Sequence, residues 1–473
     1  MSITQTLTDI FNPLNTYVWY IAFVFLVGLG IYFMIKLKGL PILKIKETSK
    51  LALGGAMEES GKTVSSFEAF CIGLGARVGV GNIAGVASAI VLGGPGAVFW
   101  MWIFAIIGSA SSFMESTLSQ IFKEKKSDGQ FHSGPAYYVQ KGLKSRPLAI
   151  VLAILIVITF GIGFVGVQAA NSVSALANAF SFENSTYVFA TIIAFAAAII
   201  IFGGVKRIAS FSAKVVPPMA VLWLLLGAVV IAMNYDHIID AISMIFTYAF
   251  QWESAAGGLL GAVIMNGLKR GVFSNEAGLG SIANIAGTAD TKHPVKQGMI
   301  QSFGTLVDTL VVCTFTALVI LTAFGSYEAI LGTGITKAPL VQEAMSMTIG
   351  DVGPILVSLF MVVFAFTSLI GYYTMSESNI RFVSDNRTFV FCVRILVIVV
   401  AFLAAIAGAD LMELICDTFM AAMGAVNMLC VFLLSKHAFQ ALKDWKAQKD
   451  AGVEEPDFHR DALDDPSGVT EWE

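Results

Sequence analysis

The run YVWYIAFVFLVGLGIYFMIK, residues 17–36, holds no charge before its last residue. At about 1.5 Å per residue such a helix reaches roughly 30 Å, the thickness of a bilayer's hydrocarbon core. Comparable runs follow near 66–92, 96–122, 148–180, 186–203, 213–233, 254–288, 298–324, 353–380, 388–408 and 413–435. Inside hydrocarbon every backbone N–H and C=O must find a partner within the protein, and a helix provides one segment by segment. The sequence therefore predicts an all-α integral membrane protein with eleven transmembrane helices. Charge content agrees: 13% of the 473 residues are Asp, Glu, Lys or Arg, against roughly 25% in soluble domains. No small-residue cleavage site follows the first run, which reads as a retained span. Cys71, Cys313, Cys392, Cys416 and Cys430 stand singly in apolar stretches without metal spacing and read as small hydrophobes.

Orientation follows from the basic residues. With the N-terminus outside, the cytoplasmic segments collect Lys36 to Lys62, Lys123 to Arg146, and Lys206, Arg207 and Lys214. They also collect Lys269, Arg270, Lys292 and Lys296, then Arg381 to Arg394, and Lys436 to Arg460. Lys337 falls outside and Arg77 lies within a span. Positive charge retained on the cytoplasmic side places the C-terminus inside, in a multi-pass protein of the inner (plasma) membrane. The tail opens as a basic stretch with Trp445, suited to the membrane interface. From Asp450 it turns acidic and poor in apolar residues, which predicts disorder. The external connection 325–350 is long enough to be partly helical.

The second run is interrupted. ARVGVGNIAGVASAIVLGGPGAVFWMW, residues 76–102, places Gly79, Gly81, Gly85, Gly93, Gly94 and Gly96 in an apolar helix around a lone Asn82. Each interior glycine costs roughly 1 kcal/mol against alanine. Two explanations stand: close packing of helix backbones through small residues, or a discontinuous helix whose unwound backbone lines a site at mid-membrane. In the second, exposed N–H groups meet an anionic group, carbonyls coordinate a small cation, and Asn82 supplies a neutral side-chain oxygen. Setting the first run aside leaves ten, which divide into two sets of five with opposite orientation. The second set opens on MNGLKRGVFSNEAGLGSIANIAG, residues 265–287, again glycine-punctuated and again carrying asparagine. Paired interrupted helices at the heads of inverted repeats are the pattern of secondary transporters. The predicted organisation is 1–65 (extra N-terminal helix and basic loop), 66–236 and 237–436 (the two five-helix repeats) and 437–473 (cytoplasmic tail).

VGVGNIAGVASAIVLGGPGAVFWMW, HSGPAYYV, KRGVFSNEAGLGS, HPVKQG and DTLVVCTFTALVIL resemble the alanine or glycine:cation symporter family, from about Phe67 to Thr322. The resemblance implies a LeuT-like fold, a 5+5 inverted repeat with an extra first helix, and transport of a small neutral amino acid with sodium. It further implies that the substrate carboxylate takes the N–H groups of Val80 and Gly81. Sodium would take the carbonyls of Gly75 and Val78 and the hydroxyls of Thr367 and Ser368, hard uncharged oxygens that let a cation leave again. An intramembrane Thr or Ser also has its own i−4 carbonyl as an alternative partner. Gln168, in GFVGVQAANSV, aligns with a substrate-contacting glutamine whose oxygen accepts from the ammonium group, and Asn171 shares its helix face. Ser274 and Asn275 open the second break. Where the family carries Gly-Trp, this chain reads GYYTMSE, so Tyr372 stands for a pocket-wall tryptophan; the smaller ring suits a larger substrate such as glutamine.

Glu276 invites two readings, a cation or proton site or an ion pair with Lys269 or Arg270, and the pair is the simpler. Glu115, Asp308, Glu377 and Arg394 fall near cytoplasmic span ends, where solvated or gating roles are expected. A proton-coupled carrier would need a titratable core group, and Glu276 is the candidate. The alternative outside transport is a channel or membrane receptor, and a channel would need a continuous polar lining or charged rings. An enzyme finds no support, because His132, His237, His293, His437 and His459 lie in loops or the tail without a paired nucleophile or metal spacing. No cofactor and no nucleic-acid partner is expected; the partners are the amino acid, sodium and lipid.

Overall fold

The computed structural model describes residues 3–54, 63–126, 129–202, 205–250, 259–384 and 386–472. Among them, eight helices are long and apolar enough to cross a membrane. These are α1 (Thr4–Lys36), α4 (Ala97–Ile121), α5 (Arg146–Ala179), α7 (Val205–Met233), α10 (Pro294–Phe324), α12 (Val352–Val383), α13 (Arg387–Ala407) and α14 (Ala409–Asp450). The shorter α6 (Ser185–Ile201) accompanies them. The two glycine-punctuated runs are discontinuous: α2 (Ser66–Arg77) and α3 (Ala84–Gly93) form the first, α8 (Leu259–Asn275) and α9 (Ser281–Ala286) the second. Residues 254–258 of the expected seventh span, and Lys62, lie outside the described residues. The external connection is helical in two pieces, Tyr327–Gly332 and α11 (Lys337–Ile349).

Local chemistry accounts for the breaks. Helix α2 starts on a capping box, in which Ser65 Oγ accepts from the Glu68 N–H at 3.1 Å and Glu68 Oε2 from the Ser65 N–H at 2.9 Å. It ends where Val78 leaves helical geometry at ψ 85° and Gly79 is fully extended. A Cβ on Gly79 would sit 2.5 Å from Ser368 Oγ and 2.8 Å from Gln168 Nε2, so only glycine fits. The second break turns through three positive φ angles, Glu276 at 56°, Gly278 at 82° and Gly280 at 78°. Helices α5 and α10 each widen by one π-helical turn, Thr159–Phe164 and Val307–Cys313, beside the breaks.

The broken helices form the centre. Helix α2 packs on α7 and α12, and α3 packs on α8. Large apolar side chains such as Ile192, Phe195, Leu222, Leu225, Val229 and Leu403 point outward, as lipid contact requires.

The tail departs from expectation. Beyond α14, Phe458, Leu463, Val469 and Trp472 are buried against the rest of the chain. Trp472 Nε1 donates to the Gln120 carbonyl at 3.0 Å and the Phe458 N–H to that of Lys292. Lys436 pairs with Asp464 and Lys292 with Glu455. Four well-spaced apolar anchors hold the acidic segment down, although its average composition is that of a disordered one. Trp445 is likewise buried, edge-on to His293 with ring centroids 4.9 Å apart, and covers protein where an interfacial position was expected.

Candidate functional site

The two breaks face each other, and side chains from neighbouring helices complete them. Asn82 Oδ1 accepts from the Gly79 N–H at 2.9 Å, capping the freed backbone. Its Nδ2 donates to Asp308 Oδ1 at 2.7 Å. From the other break, Ser274 Oγ donates to Asp308 Oδ2 at 2.6 Å, and Asn275 Nδ2 donates to Thr309 Oγ1 at 3.1 Å. Asp308, on the π-helical turn of α10, thereby ties both breaks together. Charge-assisted bonds of this kind contribute roughly 1.5–3 kcal/mol each. Arg77 adds a second tie, donating from Nε to the Asn275 carbonyl at 3.0 Å and on to Gln301 and Ser112. Cys313 also touches both breaks, its Sγ 3.4 Å from Asn82 Nδ2 and 3.1 Å from Ser274 Oγ, where sequence gave it a purely apolar role.

Asp308 and Glu115 are corrections. Both are fully buried, where solvated span ends were expected. Glu115 accepts from the N–H groups of Gly278 and Gly280, at 3.3 and 2.9 Å, and from Asn427 Nδ2 at 3.1 Å. The second break reaches α4 and presents donors that a carboxylate satisfies. Glu377 is buried as well, a third correction, and pairs with Arg394 at 3.0 Å and Arg381 at 2.7 Å from its Oε1.

The expected ion pair of Glu276 is not formed. Arg270 pairs with Asp417 and Glu413 on α14, and Glu413 also holds Lys337 at 3.2 Å. Lys269 donates to Asn15 at 2.8 Å. Arg270 therefore shares Glu413 with Lys337, although the two were expected on opposite sides of the membrane, and Lys269 is its neighbour in sequence. The reason is the break itself: Lys269 and Arg270 stand on the half-helix before it.

Beside the first break several predicted residues meet. Gln168 Oε1 accepts the Val80 N–H at 3.1 Å, and Gln168 Nε2 lies 3.4 Å from the Tyr372 hydroxyl. That oxygen, expected to face an ammonium group, here takes the donor assigned to a carboxylate. The Tyr372 hydroxyl donates to the Ala76 carbonyl at 2.8 Å, and the ring leans on Phe160 and Phe164 at 5.3 and 5.0 Å. Phe164 stacks in turn on Phe273, which a Cβ on Gly81 would meet at 2.9 Å. Gln168, Ser368, Tyr372, Phe164, Phe273 and both glycines are buried, so the site is closed to solvent.

Of the oxygens expected around sodium, Ser368 Oγ donates to the Gly75 carbonyl at 3.0 Å. Thr367 Oγ1 faces its own helix, 3.2 and 3.0 Å from the carbonyls of Val363 and Phe364; its lone pairs stay available because the hydroxyl donates there. Val78 follows Gly75 at the helix end, its N–H on the Leu74 carbonyl. Asn171 donates to its own Val167 carbonyl at 3.0 Å and makes no bond to the breaks. Arg77 and Asp308 are what the sequence reading missed; Arg77 had a signal, a lone cation inside a span.

Comparison with known proteins agrees with this architecture. The Probable sodium/glutamine symporter GlnT of Bacillus subtilis is 44% identical over 99% of this chain and 96% of its own. The Sodium/alanine symporter AgcS of Methanococcus maripaludis is 36% identical over 90% and 94%. The crystal structure of MhsT in complex with L-phenylalanine superposes with a TM-score of 0.55 at 13% identity, over 78% of this chain and 89% of that one, which shows a shared LeuT-like fold. Residues 4–460 match the sodium:alanine symporter family, and the chain belongs to that family.

Proposed function

We propose that this protein imports a small neutral amino acid together with sodium by alternating access across the plasma membrane, N-terminus outside. The observation that carries the reading is the Ser368 hydroxyl on the Gly75 carbonyl, 3.0 Å across from the end of a broken helix. Two hard, uncharged oxygens from separate helices meet there in a dry place, as a transiently bound monovalent cation needs. Thr367 and the Val78 carbonyl complete the set.

The substrate carboxylate takes the Val80 and Gly81 N–H groups, whose half-helix adds positive potential. Gln168 Oε1 holds one of these donors in the closed form; when the carboxylate enters, the amide turns its oxygen to the ammonium group. Asn82, Ser274 and Asn275 keep the breaks in register through Asp308 and Thr309. A tyrosine at position 372 supports a substrate larger than alanine, and the likeness to a probable glutamine symporter supports glutamine among the substrates. Repeats at 66–236 and 237–436 would rock about this centre.

Uptake of labelled alanine, glycine and glutamine into proteoliposomes tests the reading. Accumulation should follow an inward sodium gradient and persist when the pH gradient is collapsed. Equal uptake without sodium would refute it.

A further inference from the structure

In the cycle proposed above, opening to the cytoplasm requires the inner ends of the two broken helices to part. In this structure they are tied together. The Asp290 N–H, just past α9, donates to the Val64 carbonyl, just before α2, at 2.8 Å. Thr63 Oγ1 donates to Asp290 Oδ2 at 3.0 Å, and Val64 and Ala289 form an isolated parallel bridge. Two side chains at the inner end of α4 hold the same stretch of backbone. Gln120 Nε2 donates to the carbonyls of Ala286 and Ala289, the latter at 2.9 Å, and Lys123 Nζ donates to the Ala289 carbonyl at 3.2 Å.

The end of the chain covers these two residues. Trp472 Nε1 bonds the Gln120 carbonyl, and the Trp472 ring centroid lies 4.5 Å from Lys123 Nζ, with that of Phe131 at 4.2 Å. The Lys125 N–H donates to Glu471 Oε1 at 3.1 Å, and Lys141 Nζ to Thr470 Oγ1 at 3.2 Å. Phe458 stands edge-on to both Trp472 and His293, at 5.4 and 5.1 Å, which carries the contact on to the cap of α10. Lys123 is buried, and its ammonium has a carbonyl and two aromatic faces for partners. Such contacts gain strength where water is excluded. Without Trp472, water reaches the ammonium, competes for it and loosens its hold on Ala289.

We propose that the C-terminal segment 456–472 is a latch on the cytoplasmic gate. Docked, it holds the inner ends of α2 and α9 together and disfavours the inward-open form; released, it lets them part. The bias is one of differential contact: Gln120, Lys123 and the Lys292 carbonyl sit at the junction that inward opening takes apart, so the segment binds the inward-closed form more tightly. The inference rests on the alternating-access reading above.

Cys71, fully buried on α2, reports the opening. A membrane-impermeant maleimide is applied to inside-out membrane vesicles, well below the melting midpoint of each protein, and labelling at each cysteine is read by peptide mass. Trp472→Ala should label Cys71 about three- to tenfold faster than wild type, the shift that one lost hydrogen bond makes in a two-state equilibrium. A chain ending at Pro456 should gain at least as much. Cys416, buried near the start of α14, should keep its wild-type rate in both. Unchanged labelling of Cys71 overturns the latch. Equal acceleration at Cys416 also overturns it, because it marks general loosening by a tail that merely supports the fold. Should neither protein fold, Trp472→Phe decides by the same comparison, since it keeps a ring over Lys123 and loses only the indole N–H. Labelling needs no substrate, so failure of the transport reading shows separately, as wild-type uptake indifferent to the sodium gradient.

Discussion

Tyr372→Trp asks how large the substrate is. The Tyr372 ring stands between Phe160 and Phe164, and its hydroxyl is fixed on Ala76 2.8 Å away. These contacts leave an indole no room to retreat, so its extra ring intrudes on the site lined by Gln168 and Gly79. Overfilling a packed site costs roughly 1–3 kcal/mol, and each 1.4 kcal/mol is about tenfold in affinity. Glutamine should therefore lose on the order of ten- to a hundredfold in apparent affinity, while alanine or glycine loses far less. Tyr372→Phe is the control for the lost hydroxyl. It removes two hydrogen bonds, to the Ala76 carbonyl and from Gln168 Nε2, about 0.5–1.5 kcal/mol each, and should weaken both substrates equally. The assay is competition of labelled alanine uptake by unlabelled glutamine in the three proteins. Glutamine that fails to compete in the wild type refutes the widened pocket, and equal losses for both substrates in Tyr372→Trp refute its position on the wall.

The other perturbations address the cation site, the clamp and the tail. Thr367→Val and Ser368→Ala each delete one oxygen and should raise the sodium concentration for half-maximal uptake several-fold at unchanged protein yield; sodium titration of uptake checks this, and wild-type curves in both would remove α12 from the site. Asp308→Asn leaves the Asn82 amide facing another amide and should cost about 1–3 kcal/mol of stability, read as a lower melting temperature and weaker substrate binding; an unchanged melting curve would contradict the clamp. Burial under Trp445 and Phe458 pushes His293 down to about 4, while Asp444 opposes the shift. The unfolded chain thus takes up this proton first, so docking of the tail is fully stable above about pH 6.5 and weakens as pH falls towards 4. Limited proteolysis of the tail across that range should show the transition, and His293→Asn, which can still accept the Val295 N–H, should abolish it.

The helical architecture and the location of both breaks are legible because they follow from local composition: apolar run length fixes the spans, and glycine in such a run has few uses. The tail was misread for the same reason. Its average composition is polar, and the four buried anchors Phe458, Leu463, Val469 and Trp472 carry little weight in an average. Arg270 and Lys337, expected on opposite sides, meet at Glu413, because the half-helix that carries Arg270 ends at the break a few residues later.

What sequence could not supply is which side chain answers which freed backbone group. Breaking a helix at mid-membrane exposes N–H and C=O groups that hydrocarbon cannot satisfy, so each break must import polar side chains. Asn82 serves the Gly79 N–H from three residues away and is visible in the sequence. Glu115 serves Gly278 and Gly280 from the opposite repeat, and Arg77 crosses to the Asn275 carbonyl, partners separated by 163 and 198 residues. Such pairs have no local signature, and span-by-span reading assigns their members to helix ends or leaves them unexplained. The Val80 N–H is answered by Gln168 Oε1 at 3.1 Å, a neutral acceptor that a carboxylate outcompetes because charge-assisted bonds are roughly twice as strong. Carboxylates and the nearby Asn82 hold the other donors in the scaffold, and the Val80 N–H, answered by an amide from another helix, is the one proposed above to pass to the substrate.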